Sequence, residues 1–201
     1  MRFGTIGAGV IGQALAHHVV NAGYPITLSN SRGPHTLAGV VADLGPLASA
    51  GTAAQAAEAD IVFLATQWRA ATAVLDALPH WNGRVLVDTT NTLDVVDDKV
   101  IRVDIGDRTS SEIVAEHAPG ARVVKAFNTL YASYIAPDPR HEAGRQVIFY
   151  AGDDADAKTT FSAILDEFGF APVDIGALRE GGRLMQVDGG PLSGLHVLEQ
   201  N

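Results

Sequence analysis

Residues 3–12, Phe3-Gly4-Thr5-Ile6-Gly7-Ala8-Gly9-Val10-Ile11-Gly12, decide the fold of this chain. A short apolar strand runs straight into Gly-x-Gly-x-x-Gly. Gln13 to Ala22 then read as a helix, Gly23 stops it, and Pro25-Ile26-Thr27-Leu28 opens a second strand. Strand, glycine turn, helix and strand within about thirty residues are the setting in which this motif holds a dinucleotide. Gly7 permits the tight turn, Gly9 lets the backbone approach a pyrophosphate, and Gly12 brings the helix close to the sheet. With Ala8, Val10 and Ile11 they place free N–H groups and the positive helix end where two phosphates would lie.

The end of the second strand chooses between dinucleotides. An NAD site carries Asp or Glu there for the ribose 2′-hydroxyl. This chain has Ser29-Asn30-Ser31-Arg32-Gly33-Pro34, without a carboxylate. Arg32 can hold a 2′-phosphate through paired charge-assisted donors, and Asn30 and Ser31 can add neutral ones. At ~1.5–3 kcal/mol for such a bond, Arg32 favours NADP(H) by about 10- to 150-fold.

Composition narrows the class. With 201 residues, 47% hydrophobic and 18% charged, the chain suits one good globular domain with an extension. The formal net charge of −9 argues against nucleic acid or an anionic membrane as partner. An anionic cofactor then needs a local cation, which gives Arg32 its weight. There are no cysteines, so thiolate chemistry and disulfides are excluded. The first residues enter a strand directly and no apolar run reaches the ~20 residues of a membrane helix, so a cytoplasmic protein is expected. His17 and His18 are adjacent on a helix, point apart and make a poor metal pair, so no metal site is expected.

Further along, a helix is expected from His35 to Leu44, a strand at Leu47-Ala48-Ser49, and a helix from the N-cap Thr52 to Ala59. Ile61 to Thr66 is an unbroken apolar run and reads as a central parallel strand. Ligands of open α/β sheets sit beyond the carboxyl ends of such strands. Ala65, Thr66 and Trp68 therefore stand where a cofactor would pass, Trp68 either flanking a planar ring or packing a helix that begins at Arg69. The strand Arg84 to Asp88 ends in Thr89-Thr90-Asn91, and Asn91 either bonds the nicotinamide ribose or closes its own turn. Asp94, Asp97 and Asp98 read as an acidic loop. Thr109-Ser110-Ser111-Glu112 fits a capping box for a helix through His117.

Arg122 to Thr129 is a strand that delivers Lys125, Ala126 and Asn128 to its tip. Lys125 and Asn128 either orient a carboxamide or polarise a carbonyl, or else Lys125 snorkels outward and Asn128 caps a turn. Tyr131 to Gly144 reads as a loop, Gln146 to Gly152 as a strand, Ala155 to Phe168 as a helix closed by Gly169, and Pro172 to Ile175 as a last strand. The remaining residues are too glycine-rich for a stable core element alone; they either fold over the substrate side of the nicotinamide or form a disordered or purely structural tail. The expected fold is thus a Rossmann-type doubly wound α/β domain, mostly parallel, over residues 1–178. A tail, 179–201, would contribute to a substrate cleft or a subunit contact.

Ile6 to Gly12, Ser29 to Pro34, Asp88 to Asn91 and Val124 to Thr129, with Gly182-Arg183-Leu184-Met185, resemble the NADP oxidoreductases dependent on the deazaflavin coenzyme F420. The same core is similar to the reductase domain of the STEAP metalloreductases. The resemblance implies NADPH across the glycine turn, its 2′-phosphate on Ser31 and Arg32, and a deazaflavin or flavin-like acceptor stacked on the nicotinamide. Hydride would pass directly between the rings, with the protein supplying orientation. Trp68, Lys125 and Asn128 are the positioning candidates, the partner is a small redox acceptor, and a homodimer is expected. Two positions depart from the pattern: Thr36 stands where the family often has a further basic residue, and Gln67 precedes Trp68 where a proline is usual.

Overall fold

A computed structural model describes residues 1–201 except Asp98, Asp188 and Asn201. Its first half alternates strand and helix: β1 (Phe3–Ile6), α1 (Val10–Asn21), β2 (Ile26–Ser29), a 3-10 turn (Pro34–Leu37) running into α2 (Ala38–Leu44), β3 (Ala48–Ala50), α3 (Ala53–Ala56), β4 (Ile61–Leu64), α4 (Trp68–Asp76) and β5 (Val85–Asp88). Every pairing among these strands is parallel, in the spatial order β3-β2-β1-β4-β5. The order reverses beside β1, and a doubly wound sheet opens its ligand crevice at that point.

The second half extends the sheet. A hairpin of β6 (Leu93–Val96) and β7 (Lys99–Arg102) stands apart from it. There follow α5 (Ser110–His117), β8 (Arg122–Ala126), α6 (Ala132–Ile135), β9 (Arg140–His141), β10 (Gly144–Gly152), α7 (Ala155–Phe168), β11 (Ala171–Asp174), α8 (Leu178–Met185) and β12 (Leu198–Glu199). β8 pairs β5 in parallel, while β10 runs antiparallel to β8 and parallel to β11. The sheet is therefore mostly parallel, as the sequence predicts.

Alternation along the strands divides the core between the two faces. Phe3, Phe63, Val85, Val87 and Val124 face the layer of α1, α2 and α7, whose Leu15, Val19, Phe161 and Phe168 are buried. Ile6, Val62, Leu64, Leu86 and Val123 face the layer of α4 and α5, with Leu75 and Val114. Both predicted capping boxes are present: Thr52 with Gln55, and Thr109 with Glu112.

Some expectations change. Residues 94–97 are not an acidic loop but part of the β6–β7 hairpin, turned at Asp97 with φ of 50°; Asp98 lies outside the described residues. The 131–144 segment contains the helical turn α6. The glycine-rich stretch after residue 178 forms α8, with Gly181, Gly182 and Met185 buried. A Cβ at Gly181 would lie 2.5 Å from that of Ala151, so the glycine is a contact point where the helix lies against β10. β12 then pairs β10.

Candidate functional site

The glycine turn behaves as the sequence requires. Gly7 has φ of 105°, and a side chain there would meet the Ala65 carbonyl at 2.3 Å. A Cβ on Gly12 would stand 2.2 Å from the Gly7 carbonyl oxygen. At Gly9 nothing lies within 4 Å, so this backbone is open to a ligand. The turn is held from below: Gly7 N–H donates to Ser29 O at 3.0 Å, Thr5 Oγ1 to Gly7 O at 2.7 Å, and Ser29 Oγ to Thr5 O at 2.7 Å. Gly9 is the N-cap of α1, and no side chain caps that end. Val10 is 76% exposed there, and Ala8 and Ile11 are half-buried against the core. Oriented N–H groups at an uncapped helix end favour phosphate oxygens.

Beyond β2 the loop is braced internally. Asn30 Oδ1 accepts the Arg32 backbone N–H at 3.0 Å, and Asn30 Nδ2 donates to Thr36 Oγ1 at 2.9 Å. Thr36 Oγ1 also donates to Gly33 O at 2.8 Å. Asn30 thus shapes the turn, and Ser31 and Arg32 are left exposed. Among the described residues the Arg32 guanidinium has no side-chain hydrogen bond or ion pair.

The tips of β4, β5 and β8 form the other half of the crevice. Thr66 Oγ1 is buried and has no hydrogen-bond partner among the described residues. Trp68, 8% exposed, joins the core of the α4 face, which leaves little of its ring for a nicotinamide. Asn91 and Asn128 hold each other: Asn91 Nδ2 donates to Asn128 O at 2.9 Å, and Asn128 Nδ2 reaches Asn91 Oδ1 at 3.1 Å. Asn128 Nδ2 also donates to Met185 O at 2.9 Å, which fastens the end of α8 to the tip of β8. Asn128 Oδ1 is a buried acceptor without a donor. Ala126 is fully buried beneath.

Phe127, between Ala126 and Asn128, has φ of 63°. A bulky residue in that region stores on the order of 1–3 kcal/mol and persists only when its surroundings over-determine it. Here its ring makes edge contacts with Phe63, Phe161 and Phe170, at centroid distances of 6.4, 6.2 and 5.7 Å. That packing holds the backbone turn that leads into Asn128.

Lys125 is neither at the mouth nor snorkelling outward. It is 1% exposed, and its Nζ donates to Asp88 Oδ2 at 3.0 Å, to Ser110 Oγ at 3.1 Å and to Thr90 O. All three ammonium protons are therefore used inside the protein. Asp88 is completed by Ser111 Oγ at 2.7 Å, Thr90 N–H at 2.8 Å and Thr90 Oγ1 at 2.7 Å. Burial holds the Lys125 ammonium below the usual lysine range, and the Asp88 carboxylate opposes that shift. Sequence reasoning did not single out Asp88, Ser110 or Ser111. The available signal was an acid and an ammonium at matching ends of two apolar strands.

Beside this floor Asp107, Arg108, Arg183, Gln186 and Gly190 line a cleft of ≈ 300 Å³. Arg183 Nη2 donates to Asp107 O at 2.7 Å, Arg108 meets Glu116 at 2.5 Å, and the buried Gln186 Oε1 lacks a partner among the described residues. Gln186 directly follows Met185, so the cleft adjoins the Asn128 tip. The paired histidines lie elsewhere. His17 is exposed, while His18 is buried against Phe168 and Phe170 with its Nε2 2.6 Å from Ile135 O.

An open glycine backbone, a free guanidinium and two unpartnered buried oxygens, on Thr66 and Asn128, fit an NADP(H) molecule lying across the strand tips. Comparison with known proteins agrees. Residues 2–92 match the family model described as "NADP oxidoreductase coenzyme F420-dependent". The metalloreductase STEAP3 of Rattus norvegicus is 29% identical over 178 residues, 88% of this chain and 34% of that protein, so the chain spans about a third of its length. A hypothetical protein, SMa0349, from Sinorhizobium meliloti has a crystal structure with TM-score 0.91 and 38% identity, covering 100% of this chain and 96% of that one. A protein of Arthrobacter sp. FB24, provisionally described as an F420-dependent NADP-reductase, shares the fold with TM-score 0.73 and 24% identity, over 89% of this chain and 86% of that one. An imine reductase from Pseudomonas sp. and an NADPH-bound reductive aminase from Aspergillus terreus share the fold alone, at 21% and 18% identity, TM-scores of 0.65 and 0.63, each over 90% of this chain and 57% of theirs. Over residues 2–92 the chain is thus similar to the coenzyme F420-dependent NADP oxidoreductases.

Proposed function

We propose that this protein transfers a hydride between NADPH and a ring-shaped acceptor, a deazaflavin such as coenzyme F420 or a flavin. The observation that carries the reading is the consumption of Lys125. A carbonyl or imine needs an acid placed beside it, and the ammonium at these strand tips has no proton free to give. The unpartnered polar atoms at these tips are neutral instead: the Thr66 hydroxyl and the Asn128 amide oxygen. Such groups orient rings without titrating. Bound NADPH would supply the hydride, and the accompanying proton exchanges with water.

Each part of the chain has its task in this scheme. The glycine turn and the end of α1 hold the pyrophosphate, Ser31 and Arg32 hold the 2′-phosphate, and Asn91 shapes the nicotinamide side through its bond to Asn128. Asn128 Oδ1 is the natural acceptor for a carboxamide N–H, which would fix which face of the ring is presented. The acceptor then enters from the cleft of Arg108, Arg183 and Gln186, against the segment after α8. Catalysis is chiefly proximity and alignment, which can be worth about 7–11 kcal/mol of barrier.

A second reading, reduction of a small imine or carbonyl, rests on Tyr131, which is 74% exposed just past the β8 tip and could bring a phenol to the mouth. A panel of deazaflavin, riboflavin, ferric chelate and cyclic imine, each followed by NADPH oxidation, separates the two. Reduction of the ring acceptors by both the native protein and Tyr131→Phe supports the first. Turnover confined to the imine and lost in Tyr131→Phe overturns it.

A further inference from the structure

The loop after β2 holds a second polar group that the cofactor reading does not use. Asn30 and Thr36 are committed to one another and to the turn. Among the described residues, Ser31, Arg32 and His35 are left without side-chain partners on this loop. Gly33 and Pro34 separate Arg32 from His35, and Gly33 has φ of 94°. A Cβ at that glycine would fall 3.2 Å from both Cε1 and Nδ1 of His35, so the imidazole is folded back over Gly33 on the same short turn as the guanidinium. The ring is exposed, and among the described residues no carboxylate pairs with it. Arg32 is the charged group that shares its turn.

We infer that His35 is a second contact for the 2′-phosphate of NADP(H), adding to the selectivity against NADH that Arg32 confers. The inference rests on Arg32 marking the phosphate site and goes beyond it by adding a second residue of the same turn. A phosphate monoester carries about −1.5 to −2 near neutrality and three strong acceptor oxygens, and a ring N–H on the turn that carries Arg32 adds a donor for one of them. Gly33 makes this possible, because any side chain there would be strained and would lift the ring off the turn. Thr36, the other polar residue after Gly33, is spent on bracing the loop.

The test is calorimetric affinity for NADPH and for NADH in the native protein, His35→Ala and His35→Arg. Exposed contacts are weak, so the native NADPH/NADH affinity ratio should exceed that of His35→Ala by about three- to fivefold, and His35→Arg should keep the higher ratio. Equal ratios for the native protein and His35→Ala, with NADPH still preferred, overturn the inference and leave Arg32 as the sole selector. Equal affinities for the two nucleotides in the native protein overturn the phosphate site itself.

Discussion

Lys125 Nζ lies 3.0 Å from Asp88 Oδ2, with side-chain exposures of 2% and 0%. The two residues are register partners on the adjacent parallel strands β5 and β8, and both project toward the start of α5, where Ser110 and Ser111 complete their hydrogen bonds. A buried ion pair with every bond made is tolerated; one with a partner removed is not. Lys125→Met should therefore destabilise the fold by about 3 kcal/mol or more in urea unfolding, because Asp88 is left charged in a dry site. Replacing both, as in Lys125→Met with Asp88→Leu, should recover much of that loss. Equal stability of the single variant and the native chain contradicts this.

The glycines of the first turn separate folding from binding. Gly9→Ala puts a methyl into open space, so the melting temperature should hold while NADPH affinity drops, by about tenfold or more where the pyrophosphate must approach. Gly12→Ala places its methyl 2.2 Å from the Gly7 carbonyl and should lower the melting temperature as well. Thermal melts of the apo proteins, followed by NADPH titration, distinguish the two.

Burial lowers the pKa of His18, against a smaller raising effect of its bond to Ile135 O. The folded protein then binds this proton more weakly than the unfolded chain. Stability from this group is intact above the ordinary histidine range and falls as pH drops below about 6.5, until the depressed folded value is passed. Melts from pH 8 to pH 5 should show that decline, and His18→Gln should flatten it. An unchanged slope in the variant would remove His18 from the account.

Asn128 joins β8, Asn91 and the end of α8. Asn128→Ala should lower kcat with a ring acceptor by about tenfold or more and leave NADPH affinity within a few-fold, since the anchoring phosphate contacts are elsewhere. Stopped-flow oxidation of NADPH reports the step directly. An effect on KM for NADPH alone would show that Asn128 binds rather than aligns.

Much of this was legible because the first half of the chain signals locally. Gly7, Gly9 and Gly12, the capping boxes of Thr52 and Thr109, and the apolar runs of β4 and β5 each determine their structure within a few residues. The β6–β7 hairpin escaped because Asp94 and Asp97 break the apolar alternation, and most of the hairpin stays exposed in the fold. The tail was misjudged because Gly181 and Gly182 look flexible in sequence, yet serve as close contacts with β10 and α5. At the site, the missing carboxylate after β2 was legible, and it is what proposes Arg32 as the phosphate contact. The orientation of Trp68 and the use of Lys125 were not. Which way a helix-start ring turns depends on α4 packing, and the partner of Lys125 is 37 residues away in sequence. Only strand register brings them together.

The central claim is that Arg32 marks the protein as an NADP(H) binder. Isothermal titration of NADPH and NADH into the native protein and Arg32→Ala tests it most directly. Because the guanidinium is exposed, the lower end of its range applies, and a preference for NADPH of about tenfold is expected, largely lost in Arg32→Ala. Native protein that binds the two nucleotides equally, or a variant that keeps the full preference, would contradict the account.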